Sequence, residues 1–361
     1  MHSESNQISR ILIRGANWIG DAVMTLPALE RLRSSFPLSY IALLVTPLTT
    51  GLFENSPSVD EVIEYRRKED GPRAFIETMR LMRARRFGLA ALFQNAFEAA
   101  LLTALGGAPV RIGFAAQGRG PLLTHKLHRV PRQSGRHQVH DYLDIVAECE
   151  RVCLGGNPGP RISNLEPQIS DPLPSLNASP AQRQAAEALL RRAGVDSNSR
   201  PLVALNAGAT NSRAKRWPED RFAALADRLI EALGSRIVFI GAASERAGAD
   251  RIIRRMARRG AVNLAGETGI TELIGSLDVC DLLISNDTGP AHIAAALGRP
   301  TLTIFGPTNE FETAPLGSRA EAIRAEGVEC ERCMLRDCPI DHRCMTRIDP
   351  SEVFERALKL L

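Results

Sequence analysis

The chain has 361 residues, 44% of them apolar and 24% charged, with 45 Lys and Arg set against 41 Asp and Glu for a net charge of +4. That length exceeds what one ordinary core serves and points to two domains, while the apolar fraction excludes disorder as the main state and no run approaches the roughly 18 apolar residues of a membrane span. The charge is too balanced to argue for nucleic acid, aromatics at 5% give no base-stacking stripe, and the polar start Met1-His2-Ser3-Glu4-Ser5-Asn6-Gln7 lacks the basic-then-apolar order of a secretory signal, so a cytoplasmic chain with reduced thiols is expected.

From the N-terminus, short apolar runs alternate with helical patterns: a strand at 11–13, a helix over 20–34, a strand over 40–45, then strands at 62–63 and 89–93. The runs are continuously apolar rather than alternating, as in a parallel sheet covered by helices on both faces. After a helix containing 142–152 the texture changes to Gly155-Gly156-Asn157-Pro158-Gly159-Pro160, followed by Pro167, Pro172, Pro174 and Pro180, which reads as a linker. The rhythm then restarts with strands at 202–205, 237–240, 282–285 and 301–305 and helices beginning near Pro218, Ser244, Thr271 and Gly289. Pro218 suits a first-turn proline, with Glu219 and Asp220 favourable beside it. The expected fold class is α/β: two doubly wound, Rossmann-like domains over 1–176 (with a Pro-rich linker from about 155) and 177–361, facing across a cleft between the carboxyl ends of their sheets, where ligands bind.

Three strand-to-helix loops carry candidate chemistry. Arg14-Gly15-Ala16-Asn17-Trp18-Ile19-Gly20-Asp21 has Gly-x4-Gly spacing, but Asp21-Ala22 stands where a P-loop needs Lys and Ser or Thr, and a carboxylate repels phosphate. No G-x-G-x-x-G follows a strand either, which weakens a dehydrogenase reading. What remains is a glycine turn presenting Asp21, either as a general base or as a helix cap. In the second half, Asn206-Ala207-Gly208-Ala209-Thr210 and Lys215-Arg216 offer backbone donors and positive charge to an anion, or form a solvated basic loop. Ser285-Asn286-Asp287-Thr288-Gly289-Pro290-Ala291-His292 sets further donors at a helix start; Thr288 alone reads as an N-cap and His292 as a packed neutral histidine, but two such loops in one domain converge on a ligand carrying negative charge.

These segments together, Arg14 to Met24, Gly208 to Pro218, and Asn286 to Gly298 followed by Phe305-Gly306-Pro307-Thr308, closely resemble the ADP-heptose:lipopolysaccharide heptosyltransferases of glycosyltransferase family 9, and among them the type II enzymes in particular. The resemblance runs in order over nearly the whole chain. It implies a GT-B fold with an N-terminal acceptor domain, a C-terminal nucleotide-sugar domain and a final helix able to cross back. The implied reaction is inverting transfer of L-glycero-D-manno-heptose from ADP-L-glycero-D-manno-heptose (ADP-heptose) to the first heptose of the lipopolysaccharide inner core, on heptosyl-Kdo2-lipid A, with no cofactor. Transient contact with the cytoplasmic face of the inner membrane and no nucleic-acid partner go with it.

By position, the resemblance makes Asp21 the catalytic base and Lys215 the cation at the donor phosphates, with Asn206, Gly208, Thr288, Gly289 and His292 in the substrate-binding loops, Asp287 on donor sugar hydroxyls and Glu245 on the donor. A carboxylate such as Glu245 can accept both hydrogen bonds of a ribose diol, and 264–268 is the expected adenine edge. No Asp-x-Asp occurs in the sequence, so a metal-independent mechanism is expected. Arg119, His125, Lys126, His128, Arg129, Arg132, Arg136 and His137 form a basic cluster that suits an anionic acceptor or is an ordinary solvated loop. Cys330-x2-Cys333-x4-Cys338-x5-Cys344 could supply a tetrahedral zinc site, although its spacings fall short of a paired Cys-x2-Cys design. Cys149, Cys153 and Cys280 read as core residues. The competing readings are a type I heptosyltransferase or another family member with a different acceptor, a sugar-nucleotide 2-epimerase, and a non-catalytic nucleotide-sugar-binding protein.

Overall fold

The computed structural model of the chain describes residues 8–129, 135–155, 172–196 and 201–361. The chain divides into two compact units, Met1–Pro172 and Leu173–Leu361. Most of the stretch read as a linker, 156–171, lies outside the described residues, as does Arg132 of the basic cluster. Among the described residues, no helix is long and apolar enough to cross a membrane.

The first unit runs β1 (Arg10–Arg14), α1 (Ile19–Met24), α2 (Leu26–Ser35), β2 (Tyr40–Val45), β3 (Glu61–Glu64), α3 (Arg67–Arg85), β4 (Leu89–Leu92), α4 (Phe97–Leu105), β5 (Val110–Phe114), β6 (His125–Leu127) and α5 (Val139–Leu154). Its six strands are parallel in the order β3-β2-β1-β4-β5-β6, with Ile11 opposite Ile41 on one side and Leu89 on the other. Ile11, Leu12, Ile13, Ile41, Leu43 and Leu89 are all fully buried, which is why the central strands read as unbroken apolar runs. α1 and α2 part at Thr25, whose hydroxyl donates to the Ala22 carbonyl at 2.6 Å, and Pro27 sits in the first turn of α2, where a missing N–H does no harm.

The second unit contains α6 (Pro180–Arg192), β7 (Leu202–Asn206), α7 (Glu219–Leu233), β8 (Arg236–Phe239), α8 (Arg246–Arg255), β9 (Ala261–Asn263), α9 (Ile270–Val279), β10 (Leu282–Asn286), α10 (Gly289–Ala296), β11 (Thr301–Phe305), α11 (Glu310–Thr313), β12 (Ala320–Arg324), α12 (Arg343–Thr346) and α13 (Pro350–Leu360). Its strands are also all parallel, in the order β12-β11-β10-β7-β8-β9. Counted from its own first strand, each unit therefore has the doubly wound order 3-2-1-4-5-6. The winding reverses between β1 and β4 in one unit and between β7 and β10 in the other, so the crevices for ligands open at the carboxyl ends of those four strands.

Two local readings change. Pro180, read as the last of the linker prolines, is instead the first residue of a helix: Ser179 Oγ accepts from the Gln182 N–H at 3.2 Å and Gln182 Oε1 accepts from the Ser179 N–H at 2.8 Å, a reciprocal capping box that starts α6. α6 packs on α9 at Gly275, where an added Cβ would lie 2.0 Å from the Gln182 carbonyl oxygen. Pro218 is the N-cap of α7 rather than its first-turn residue, and Glu219 and Asp220 occupy that turn. The final helix, α13, packs on α7, β10 and β11 of its own unit. Val353, Ala357 and Leu360 of α13 join a core built around Trp217 and Phe222, whose rings meet edge to face at 5.0 Å.

Candidate active site

In the first unit the crevice begins with the turn from β1 to α1. Arg14, only 3% exposed, directs Nη1 to the carbonyls of Gly15 (2.7 Å) and Leu44 (3.2 Å) and Nη2 to Asn17 Oδ1 (2.9 Å), so a buried guanidinium ties the turn to the neighbouring strand. Burial pushes Arg14 down to about 10, and the Tyr65 and Glu98 groups partly offset that, so the side chain stays cationic at neutral pH. Gly15 is required by close approach, since a Cβ there would lie 2.8 Å from Val45 Cγ1.

Asp21 follows as the third residue of α1. The N-cap is Trp18, with no side-chain cap bond, so Asp21 does not hold the capping position. Its Oδ1 accepts from Gln138 Nε2 at 2.8 Å, and the same amide donates to the Tyr142 hydroxyl at 2.8 Å. Burial, reinforced by the nearby Asp21 charge, raises the Tyr142 hydroxyl well above its ordinary value and keeps it neutral. A half-buried carboxylate is thus fixed at a strand end by an amide from the start of α5. Gln138 and Tyr142 were not singled out in the sequence; no local pattern points from 138 to a partner more than a hundred residues earlier.

In the second unit, Asn206 and Asn286 end β7 and β10, the two strands flanking the switch point, and both are buried. Asn206 accepts from the Gly208 N–H at 3.1 Å and donates to Thr288 Oγ1 at 3.1 Å, linking the two loops across the crevice. Asn286 donates to the carbonyls of Ala207 (2.8 Å) and Gly208 (3.1 Å) and accepts from the Trp217 N–H at 3.1 Å. Thr288 is the N-cap residue of α10, but its hydroxyl makes no capping bond; it donates instead to the Asn286 carbonyl at 3.2 Å. Gly289 opens the helix and is half-buried, while His292 is 6% exposed inside α10.

Lys215 closes a short turn over Arg213–Lys215, and its Nζ reaches Asp287 Oδ2 at 2.7 Å. The Thr308 hydroxyl donates to the same oxygen at 2.7 Å. Asp287 is 5% exposed, whereas Lys215 retains 26% of its side-chain surface, so the carboxylate is the anchor and the ammonium the exposed partner. Asp287, placed on donor hydroxyls by the motif resemblance, has Lys215 and Thr308 as partners here. Glu245 lies in the turn after β8, where Oε2 accepts from the Ala242 N–H at 2.9 Å and Oε1 from the Thr210 hydroxyl at 3.1 Å. Its carboxylate fills the space beside Gly208, where a Cβ would fall 2.0 Å from Glu245 Cδ. The segment 264–268 adjoins this turn: the Gly266 N–H donates to the Gly241 carbonyl at 2.9 Å, and Gly266 takes a left-handed φ of 81° against Ala243.

Two other expectations are corrected. The basic cluster is not one exposed patch. Arg119 is fully buried and donates to the Phe114 carbonyl (2.7 Å), to Asn95 Oδ1 (2.8 Å) and to the Gln94 carbonyl, with burial pushing it down to about 10. Arg136 pairs with Asp144 at 2.9 Å and Asp141 at 3.5 Å, and His137 is 5% exposed, which leaves Lys126, His128 and Arg129 as the exposed members among the described residues. The four C-terminal cysteines do not form the tetrahedral zinc site: among the described residues, no group of three or more His, Cys, Asp or Glu is placed to hold a metal ion. Cys344 belongs to the apolar core and Cys330 packs against it, while Cys333 is exposed. Burial first, then the other three thiols, raises Cys344 to about 11.

Residues 76–343 match the family described as glycosyltransferase family 9 (heptosyltransferase). The chain is 28% identical over 323 residues to lipopolysaccharide heptosyltransferase 2 of Salmonella typhimurium, covering 87% of this chain and 88% of that protein. It is 26% identical to lipooligosaccharide heptosyltransferase 2 of Haemophilus influenzae, covering 97% and 99%. The solved structure of the Escherichia coli ADP-heptose lipopolysaccharide heptosyltransferase II superposes with a TM-score of 0.80 at 25% identity, over 97% of this chain and 98% of that one. With two doubly wound α/β units of this kind, the chain belongs to glycosyltransferase family 9, the heptosyltransferases of the GT-B class.

Proposed function

We propose that this glycosyltransferase moves L-glycero-D-manno-heptose from ADP-heptose to the first heptose of the lipopolysaccharide inner core, with inversion. The observation that carries the reading is the constellation at the second unit's switch point, where Lys215 Nζ, anchored on Asp287, stands at loops cross-linked by Asn206 and Thr288. A nucleoside diphosphate is the ligand such a cation and its backbone donors suit. Asp21 takes the proton from the acceptor hydroxyl as that oxygen attacks the anomeric carbon. The bond from that carbon to the phosphate oxygen breaks, ADP leaves with the electron pair, and Lys215 offsets the charge growing on it. Glu245 accepts the ribose hydroxyls, exchanging its contact with Thr210, and 264–268 borders the adenine. The first unit takes heptosyl-Kdo2-lipid A at the cytoplasmic face of the inner membrane, where exposed Lys126, His128 and Arg129 meet anionic groups.

The reaction needs no metal and no cofactor in this reading. Purified protein incubated with ADP-heptose and heptosyl-Kdo2-lipid A should give an acceptor heavier by one heptose, unaffected by EDTA. Product only from Kdo2-lipid A would replace the acceptor by that of a type I enzyme. Donor conversion without acceptor would support the epimerase reading, and strong EDTA inhibition reversed by a divalent ion would refute metal independence.

A further inference from the structure

Lys215 is the third residue of a three-residue turn, too short to hold its own geometry, and the segment from 332 to 348 braces that turn from outside. The Ala214 N–H donates to the Arg336 carbonyl at 2.9 Å, the Ser212 hydroxyl donates to the same carbonyl at 3.2 Å, and His342 Nε2 lies 2.6 Å from the Ala214 carbonyl. A carbonyl only accepts, so Nε2 carries the hydrogen. The Ala214 carbonyl and the Lys215 N–H belong to one planar peptide unit. Holding that oxygen therefore sets the plane from which the Lys215 side chain departs toward Asp287. Further along, Trp217 Nε1 donates to the Ile348 carbonyl at 3.1 Å, closing the brace on the far side of the lysine.

The brace is also strained. Of the five non-glycine residues with left-handed φ among the described residues, three lie in it: Arg332 at 55°, Met334 at 58° and His342 at 58°. Such backbone persists where surrounding contacts over-determine it, and it clusters at sites that hold other groups in place. The Arg213–Asp337 ion pair on the same loops is too exposed to contribute much. The imidazole of His342 is the side chain of the brace that holds the Ala214 carbonyl.

We propose that His342 is a positioning residue for Lys215: its Nε2–H fixes the Ala214–Lys215 peptide so that the ammonium stands ready for the donor diphosphate. This rests on the reading of Lys215 given above.

The test uses the full chain, with ADP as the probe by calorimetry and heptose transfer by mass, for wild type, His342→Gly, His342→Gln, Lys215→Ala and the double variant His342→Gly/Lys215→Ala. Glycine suits the left-handed position, so His342→Gly should melt at or above the wild-type temperature while binding ADP about 3- to 10-fold more weakly, the scale of one neutral hydrogen bond. A merely structural role would move both in the same direction. Gln supplies an amide donor and should recover at least half of the lost affinity on a logarithmic scale, and in the Lys215→Ala background His342→Gly should add less than twofold. ADP binding by His342→Gly within twofold of wild type, or the full 3- to 10-fold loss persisting without Lys215, overturns the inference. Should Lys215→Ala itself bind ADP like wild type, the assignment of Lys215 fails and the inference falls with it, an outcome distinct from a weak Lys215→Ala beside a normal His342→Gly.

Discussion

At the scale of single residues, the distinction that matters is between groups that act and groups that hold them. Asp21 receives an amide hydrogen bond from Gln138, which steadies the carboxylate without neutralising it. Replacing Asp21 by Asn keeps the shape and removes the basicity, so turnover should fall by about 10²-fold or more while ADP binding, which the proposed function assigns to the other unit, stays unchanged. Near-normal turnover in the folded variant would take Asp21 out of the base role. Gly208 tests the donor side by sterics alone. A methyl group there overlaps the Glu245 carboxylate, which must swing away and lose its bonds to Thr210 and the Ala242 N–H. Gly208→Ala should therefore weaken ADP binding by about tenfold, the scale of one or two hydrogen bonds lost at a binding site. Wild-type affinity in that variant would separate Glu245 from the donor site.

At the scale of elements, legibility followed burial on two faces. Strands β1, β2, β4, β7 and β10 are central or nearly so, and their apolar runs announce them. β6, with the sequence His125-Lys126-Leu127, and β9, with Ala261-Val262-Asn263, lie at sheet edges, where three residues suffice and no apolar pattern is needed. β6 accordingly reads as part of a basic loop, and α6 is hidden because its capping box sits among prolines that resemble a linker. The motif loops were legible because their glycines, asparagines and charges stand directly after legible strands. Their braces, Gln138 and His342, were not, because each reaches across more than a hundred residues. The start of α11 shows a tie of shorter range, across 14 and 22 residues, and its strength can be read by pH. Burial raises the Glu310 carboxyl, but hydrogen bonds from Arg324 and Arg332 outweigh that and hold it below its ordinary 4.5. A carboxyl depressed in the folded state stabilises above its unfolded value and loses that contribution as pH falls through the folded one. At pH 7, Glu310→Gln should cost about 1 kcal/mol, taking solvent screening into account. The gap between variant and wild type should close as pH falls below 4.5. A gap constant from pH 7 to pH 3 would assign the loss to packing instead.

At the scale of the whole molecule, the same winding occurs twice, and the two units differ at equivalent strand ends. After β1 the chain places a carboxylate, Asp21, and after β7 it places Asn206, Gly208 and, beyond them, Lys215. A carboxylate at the first crevice disfavours phosphate there, whereas the second crevice collects a cation and backbone donors. The proposed base and the proposed donor site therefore belong to units that each have their own six-stranded sheet, Met1–Pro172 and Leu173–Leu361. The second unit also contains the groups named above that tie the Lys215 turn, from Trp217 to His342 and Ile348, and its last helix packs on its own sheet and α7. Expressed alone, Leu173–Leu361 should fold cooperatively and bind ADP within about threefold of the full chain, since a site complete in itself loses less than one hydrogen bond's worth of affinity. It should release no heptosylated product, because the proposed base Asp21 is missing. Calorimetry with ADP and mass analysis of heptosyl-Kdo2-lipid A after prolonged incubation read the two halves of this statement separately. Transfer by the isolated unit would remove Asp21 from the chemistry, whereas loss of ADP binding by a folded isolated unit would mean that residues before Leu173 complete the donor site.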